Sequence, residues 1–555
     1  MSWLSSLAEN PFYELAIILF FAALLGGLGQ LLRQPLIVVF MAVGILVGPA
    51  VLDIVKSEEN IHLLAEIGIA ILLFIVGLKL DLRVIRSVGK IALLTGLGQV
   101  LFTSLIGYII GKSLGFGNLH SFYIAVALTF SSTIIIVKLL SDKKEIDSLH
   151  GQIAVGFLIV QDIVVILVMI VLSTMRQEEN GTIWQSVGGT IISGIVLFLL
   201  TLAAMKWVIP SLSFFLAKSQ EMLVLFAVAW SIVLAAVGEL MGFSGEVGAF
   251  LAGVSLASSQ FKDTISSRLV SLRDFMLLFF FVSLGADLNF DVIGNQVPAA
   301  LIFSLFVLVG NPLIVLVIMG IMGYRKRTAF LAGLTVAQIS EFSLIFAGLG
   351  LSVGHINEEI VGLITLVGLI TIGLSTYLIL YSHSIYKMLS PVLSPFQRET
   401  PYRELGIQEG EKKRYDLIII GFGRFGSRIA EMLDENKEIP YLGVDFDPQI
   451  VKEWQKTGKD VIYGDMEDPE IFEQIPFKGS KCVISTTAGV EPSRHLIQSL
   501  KRNGYTGKVF LTALKEKELE LLQESGADQI LIPHQMAATN FYHAYLKEFF
   551  LQNDT

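Results

Sequence analysis

GQIAVGFLIVQDIVVILVMIVLSTM, residues 151–175, carries a single charge, Asp162, in its twenty-five positions. About twenty mostly apolar residues cross a hydrocarbon core of about 30 Å, so this stretch reads as a membrane span. Asp162 lies eleven residues in, or about 16 Å along a helix rising about 1.5 Å per residue. That is the middle of the bilayer. A carboxylate there costs several kcal/mol unless it faces a partner or a wet cavity, which makes it a functional-site hypothesis. The blander alternative is a hydrogen bond between two packed helices. Gln161 beside it offers an amide oxygen and no charge.

Around this span the composition divides in two. The chain has 555 residues, 53% of them hydrophobic and 16% charged. Residues 1–390 hold 43 of the charged side chains, and residues 391–555 hold 46 in less than half the length. The first part is membrane-like and the second resembles a soluble domain. This sets boundaries at 1–390 for a transmembrane domain, 391–414 for a linker with Pro391, Pro395 and Pro401, and 415–555 for a terminal domain. A net charge of −9 gives no nucleic-acid signal. The single cysteine, Cys482, excludes an internal disulfide framework and a cysteine-based zinc site. It sits in an apolar run and reads as a small buried hydrophobe. The eight histidines form no i, i+4 pair, so no metal cluster is expected.

Apolar windows give about thirteen spans, near 11–32, 35–51, 61–80, 91–111, 120–138, 151–175, 186–208, 221–241, 245–259, 274–288, 297–322, 328–352 and 359–386. The N-terminus lacks a basic n-region and a cleavage motif, so the first run is expected to be retained. With the N-terminus outside, the inner turns carry 15 Lys/Arg and the outer turns 3. The positive-inside rule then places the terminal domain in the cytoplasm. The expectation is an integral protein of a prokaryotic-type inner or plasma membrane, in contact with its lipids.

A repeat emerges at an offset of 206. LLFIVGLKLDL (72–82) matches LFFFVSLGADL (278–288) at six of eleven positions, and Leu128-Thr129 matches Leu334-Thr335. Near an offset of 210, Phe40-Met41-Ala42 meets Phe250-Leu251-Ala252. Spans 3 and 10, like 5 and 12, are seven apart and so cross in opposite directions. Such inverted repeats are the architecture of many secondary transporters. Spans 5 and 12 are interrupted at matching depths by Ser131-Ser132-Thr133 and by Gln338 with Ser340-Glu341. Interrupted helices expose backbone groups that line a cavity, although Ser and Thr also bond to their own helix carbonyls. Glu341 has three readings: partner to a cation, cap of a half-helix, or ion pair with Lys138.

Asp162 can hold a proton or a partly dehydrated cation, and competition for one carboxylate suffices for exchange. With Gln161 in place of a second carboxylate, one cation is expected to exchange for one proton. Asp162 and Gln161 would bind the monovalent cation, with Ser131, Ser132, Thr133, Gln338 and Glu341 around them. Neutral oxygen ligands lean toward potassium over sodium.

The terminal domain begins with the strand pattern DLIII (416–420), then Gly421-Phe422-Gly423-Arg424-Phe425-Gly426, a helical run, and the strand PYLGVD (440–445). A GxGxxG between strand and helix, with an acidic residue 19 positions beyond, is a dinucleotide-binding fingerprint. The glycines admit a phosphate to the backbone and the helix N-terminus binds it. Asp445, with Asp447 beside it, would serve the ribose side, which favours NAD(H) or another adenine nucleotide over NADP. Further strands are expected at 461–463, 482–485, 509–512 and 529–532, each but the last followed by a helix. Nothing marks redox chemistry, so the ligand is expected to regulate transport. The fold class is a polytopic α-helical membrane protein with discontinuous helices in inverted repeats, plus a C-terminal α/β Rossmann-like domain.

These residues resemble the cation:proton antiporter-2 family, most closely its glutathione-gated potassium-efflux branch. The resemblance rests on Pro35 through GILVGP (44–49), GIAILLFIVGLKLDL (68–82), Ser131-Ser132-Thr133, Gln161-Asp162, FLAGVSLASS (250–259), GFGRFG and Tyr463-Gly464-Asp465. It implies a homodimer, an elevator-like core, and Asp162 as the carrier carboxylate. The terminal part is similar to the N-lobe of regulator-of-potassium-conductance domains, which bind NAD(H), AMP or ATP, with Asp465 near the adenosine. Where the branch carries arginines for glutathione, this chain has Glu431 and Ala513, with Lys515 beside the latter. Arg268 and Arg273 stand where an acidic regulatory turn is expected. These departures speak against glutathione gating and leave nucleotide gating. The alternatives are a sodium:proton antiporter on the same scaffold and a nucleotide-gated cation channel. A channel needs a continuous filter, and no carbonyl-rich run such as Thr-Val-Gly-Tyr-Gly occurs. A membrane oxidoreductase would need a flavin or quinone partner that has no signal here.

Overall fold

The computed structural model describes residues 10–49, 51–79, 89–173, 196, 201, 203, 205, 209, 219–241, 243, 245–257, 259–288, 296–397, 414–436, 439–466, 475–487, 489–502, 504–513 and 515–547. Span 7 at 186–208 falls almost wholly outside them, as do Asp81 of the repeat and positions 398–413 of the linker. The chain forms two compact units. One comprises Met1–Lys143, Ile153–Met319 and Ala329–Val392; the other comprises Lys144–Gln152, Gly320–Thr328 and Leu393–Thr555.

The first unit is helical. Its elements are α1 (Pro11–Leu31), α2 (Leu36–Val47), α3 (Glu58–Lys79), α4 (Gly89–Ser113), α5 (Asn118–Ala127), α6 (Thr133–Asp142), α7 (Leu149–Ser173), α8 (Gln220–Leu240), α9 (Gly245–Leu256) and α10 (Lys262–Ala286). They continue with α11 (Val297–Leu305), a π turn at Phe306–Gly310, α12 (Asn311–Ile321), α13 (Lys326–Leu334), α14 (Glu341–Ser352), α15 (Glu358–Leu380) and α16 (Ser382–Leu389). Among the described residues, eight helices are long and apolar enough to cross a membrane. The outside of this unit is apolar as well: on α4, Leu97, Leu101 and Leu105 share one face and are 45–65% exposed. In water such a stripe would be a liability, whereas in hydrocarbon it costs nothing.

Close helix contact explains the small residues. A Cβ on Gly77 of α3 would stand 2.2 Å from the Phe250 carbonyl oxygen of α9, and one on Gly253 would stand 2.0 Å from that of Phe74. Lipid tails are as apolar as leucine, so dense packing through small residues holds such helices together. Caps are local: Asn10 accepts from the Phe12 N–H at 2.9 Å ahead of Pro11, and Asn357 accepts from the Ile360 N–H at 3.2 Å. One expectation is corrected. Residues 262–273, assigned to a turn before a span at 274, already belong to helix α10. Ile265, Leu269 and Arg273 recur at i, i+4 and i+8 on its buried face, and Arg273 pairs with Asp274 at 2.7 Å. Charge density had masked that period.

The second unit holds a six-stranded, wholly parallel sheet in the order β3-β2-β1-β4-β5-β6. The strands are β1 (Leu417–Ile420), β2 (Tyr441–Asp445), β3 (Val461–Tyr463), β4 (Cys482–Ser485), β5 (Lys508–Thr512) and β6 (Gln529–Leu531). Their apolar runs are what a sheet covered on both faces requires. One face packs Ile418, Ile420, Val444 and Leu496; the other packs Leu417, Ile419, Ala430 and Val451. The helices are α17 (Arg424–Asn436), α18 (Pro448–Lys456), α19 (Val490–Arg502), α20 (Lys517–Gln523) and α21 (Pro533–Phe541). The last of these corrects the sequence reading, since β6 too is followed by a helix. Pro533 at its first turn is preorganised for helix, and no residue of α21 is buried. A solvent-exposed helix leaves no apolar period to detect.

Candidate functional sites: two helix breaks and a glycine loop

The two interruptions expected in spans 5 and 12 are real breaks, between α5 and α6 and between α13 and α14. Both begin alike, at positions 206 apart. Thr129 Oγ1 donates to the Val126 carbonyl at 2.7 Å, and Thr335 Oγ1 to the Ala332 carbonyl at 2.6 Å. Both end on a serine cap: Ser132 accepts from the Ile135 N–H, and Ser340 from the Phe342 N–H at 3.0 Å.

Backbone groups freed inside a membrane protein need partners. At the first break they come from amide side chains on three other helices. Asn311 donates to the Leu128 carbonyl at 3.1 Å, Gln99 donates to the Thr129 carbonyl at 3.2 Å, and Gln161 Oε1 accepts from the Ser131 N–H at 3.1 Å. The same side chains bond one another. Gln161 donates to Gln99 Oε1 at 2.7 Å, and Thr103 donates to Asn311 Oδ1 at 2.9 Å. At the second break the partners are hydroxyls of α15. Ile339 N–H donates to Thr371 Oγ1 at 3.3 Å, and Ser375 donates to Gln338 Oε1 at 2.7 Å.

Asp162 sits beside the first break. Among the described residues its hydrogen bond is from Thr133 Oγ1, at 2.9 Å. Thr133 opens α6, so the positive end of that half-helix dipole faces the carboxylate. Glu341, 2% exposed at the start of α14, lies within electrostatic reach of Asp162. It makes no ion pair with Lys138 among the described residues, and Ser340 Oγ donates to it at a long 3.5 Å. Two buried polar atoms at the breaks have no hydrogen-bond partner among the described residues: Ser131 Oγ and Gln338 Nε2. Hydroxyl and carboxylate oxygens are the donor types that a dehydrated alkali cation takes.

Of the residues singled out by sequence, Ser131, Thr133, Gln161 and Asp162 are joined by direct bonds. Ser132 serves as a cap, and Gln338 is tied to α15. Gln99, Thr103, Asn311, Thr371 and Ser375 escaped the sequence reading. A signal existed for one pair: Gln99 and Thr103 are i, i+4 in an apolar helix. Glu14, another carboxylate in an apolar helix, accepts from the Lys56 and Ser57 N–H groups at 3.1 Å and 3.1–3.2 Å.

In the second unit, Gly421 turns with φ +91° after β1, and a Cβ on Gly426 would meet the Gly421 carbonyl oxygen at 1.9 Å. These two glycines make the turn. A Cβ on Gly423 would meet nothing within 4 Å, so the space before the loop is open. Arg424 and Phe425 begin α17, whose thirteen residues point their N-terminal dipole at that space. Asp445, 4% exposed, accepts from the Phe422 N–H at 2.5 Å and the Asp447 N–H at 2.8 Å. Burial pushes its carboxyl above the ordinary value, against the opposing pull of those bonds. Asp447 caps α18, accepting from Gln449 at 2.8 Å. Gly464 N–H donates to the Asp445 carbonyl at 2.9 Å, which brings Asp465 to the same edge of the sheet. Burial pushes the Cys482 thiol up to about 11, so it is a poor nucleophile. The open glycine loop and the acidic edge fit a nucleotide: the loop would hold phosphate and Asp445 the ribose.

Interrupted helices around a mid-span carboxylate, in one chain with a nucleotide-type Rossmann fold, define a secondary ion transporter carrying a regulatory domain. Residues 16–380 match the family of transmembrane sodium/hydrogen exchangers, and residues 417–533 match the TrkA-N domain. A relative in Escherichia coli (strain K12), named "Putative cation/proton antiporter YbaL", is 27% identical over 92% of this chain and 93% of its own. K(+) efflux antiporter 3, chloroplastic, of Arabidopsis thaliana is 24% identical over 90% of this chain and 68% of its own. The chain belongs to the sodium/hydrogen exchanger family, as a cation:proton antiporter of the antiporter-2 type with a TrkA-N domain, and it is a transporter and not an enzyme.

Proposed function

We propose that this antiporter expels potassium in exchange for protons, one for one, and that an adenine nucleotide on the TrkA-N domain gates it. The observation that carries the reading is Asp162, held by the Thr133 hydroxyl at 2.9 Å at the same helix break that holds Ser131, whose hydroxyl oxygen has no partner among the described residues. Loaded with either a proton or a potassium ion, the site is a neutral unit that can move. Bare, it would take the Asp162 charge across uncompensated, which is costly in a low-dielectric interior. Transport of one ion is thereby tied to counter-transport of the other. Neutral hydroxyl and amide oxygens favour the more weakly hydrated potassium. The names of the relatives support the same choice.

In this reading the membrane domain has thirteen crossings, counting 186–208. The N-terminus is outside, the TrkA-N domain is cytoplasmic, and two copies assemble. NAD(H), AMP or ATP would bind the Gly421–Gly426 loop, with Asp445 and Asp465 on the adenosine side. The nucleotide supplies differential affinity for two states of the transporter and no redox step.

Proton flux in proteoliposomes under imposed potassium or sodium gradients tests this, with NADH, AMP or ATP added separately. The expected result is potassium-driven flux, indifferent to membrane potential and altered by one of the three. Flux that scales with potential at two protons per cation would remove the one-for-one exchange. Faster flux on sodium would favour the sodium antiporter, and current without proton coupling a channel.

A further inference from the structure

The second unit contains more than the Rossmann fold: Lys144–Gln152 and Gly320–Thr328 belong to it. Each ends in a bond to the acidic edge of the sheet. Gln152 Nε2 donates to Asp447 Oδ1 at 3.0 Å. Arg327 Nη1 donates to Asp465 Oδ2 at 2.5 Å in an ion pair whose side chains are 6% and 18% exposed. His150, buried and 3.2 Å from Glu145, lies within electrostatic reach of that pair. These are the carboxylates on either side of Asp445, at the strand ends where Rossmann folds receive their ligands.

Both segments run directly into the transport machinery along the chain. Arg327 is the second residue of α13, the half-helix that ends at Leu334 where the second break begins. Gln152 lies in the first turn of α7, ten residues ahead of Asp162. The helix that leads into the second break and the helix that carries Asp162 therefore both start from tethers on the acidic edge of the sheet.

We propose that Asp465 has two alternative partners, the Arg327 guanidinium and the hydroxyl or amino donors of a bound adenosine, so that nucleotide binding frees Arg327 and with it the half-helix α13. This rests on the nucleotide-binding reading above. A shielded carboxylate bonded to a guanidinium has its strongest acceptor direction occupied. An adenosine that takes Asp465 must displace Arg327, and what Arg327 holds, the nucleotide must overcome. Binding to one of two states of a shared residue is a sufficient basis for coupling, and it is reciprocal. The Arg327–Asp465 pair is then a latch that holds exchange low, and Gln152–Asp447 is a weaker neutral tether beside it.

The test uses the full chain with Arg327→Gln, measured for NADH, AMP and ATP binding by calorimetry in detergent and for potassium-driven proton flux in proteoliposomes. The expected result is flux without nucleotide at the nucleotide-saturated level of the unmodified chain. The nucleotide that binds should do so about tenfold more tightly, because its competitor is gone. Gln152→Ala, which leaves the Arg327 charge in place, should raise basal flux about two- to threefold, and it decides the matter if the Arg327 variant fails to insert. Unchanged basal flux together with an unchanged Kd in a variant that inserts normally overturns the latch while leaving nucleotide binding intact. If none of the three binds the unmodified chain, the gating reading fails first and the latch with it.

Discussion

Asp162 and Asp445 are both carboxylates set against interrupted backbone, one beside a broken membrane helix and the other beside a glycine turn. Their surroundings differ. Asp445 is 4% exposed and fastened by two backbone N–H groups, which no rotation of a side chain can withdraw. Among the described residues Asp162 is held by one threonine hydroxyl, while the neighbouring Gln161 amide carries the structural bonds of the break. A carboxylate bonded to the main chain is held in a fixed position by the scaffold. One bonded to a single rotatable hydroxyl can give up that bond to a proton or a cation. Glu14, bonded to the Lys56 and Ser57 N–H groups, falls on the scaffold side of this divide.

The largest effect expected from that contrast is in Asp162→Asn. Exchange should fall to the level of protein-free liposomes, whereas calorimetry still detects the nucleotide. Exchange at the unmodified rate would show that Asp162 is scaffold after all. Next comes Asp445→Ala, which leaves the Phe422 and Asp447 N–H groups without their acceptor. Nucleotide affinity should fall about 100-fold, about 2.7 kcal/mol, and flux should lose its response to nucleotide. An unaltered Kd would remove Asp445 from the site.

Gln99→Leu sharpens the comparison from the side of the scaffold. It strips the Thr129 carbonyl and the Gln161 amide of their partner while leaving Asp162 untouched. An unsatisfied buried polar group costs about 1–3 kcal/mol, so the melting temperature should drop by several degrees. The cation affinity at the break should also weaken. A thermal midpoint equal to that of the unmodified protein would mean that water replaces Gln99.

pH separates the two sites further. The Asp445 carboxyl is raised by burial, so it gains its proton at a higher pH than an ordinary carboxyl would. Its capacity to accept from ribose is present above that raised value and is lost as pH falls through it. Nucleotide affinity should therefore decline on acidification from neutrality, before ordinary carboxyls near about 3.9 titrate. A Kd that stays flat down to pH 4 would contradict this. The smallest effect belongs to Thr133→Ala, which removes one hydrogen bond worth about 0.5–1.5 kcal/mol. The rate should drop several-fold and recover in Thr133→Ser; no recovery would point to the methyl group instead.

Much of the architecture is legible along the chain because its causes are local. Hydropathy over about twenty residues marks a span, Ser131-Ser132-Thr133 and Gln338 with Ser340-Glu341 mark where helices are interrupted, and GFGRFG between strand and helix marks the phosphate turn. The extension of α10 back to Lys262 and the exposed helix α21 were missed, since charged or unburied helices carry no clear apolar period. Asn311 was passed over because one asparagine in an apolar span looks like an isolated polar residue until its partners are known.

By itself the sequence determined which stretches are long and apolar enough to span a membrane, that Asp162 stands near the middle of one of them and where the Rossmann-like fold begins, since these follow from neighbours within a few turns. Only the tertiary structure decided which groups repair the first break, that Gln161 spends its amide on Ser131 and Gln99, and that Arg327 meets Asp465. Those partners lie 30, 62 and 138 residues apart in the chain. A buried donor takes whichever acceptor folding brings within about 3 Å, and separation in sequence carries no record of that choice.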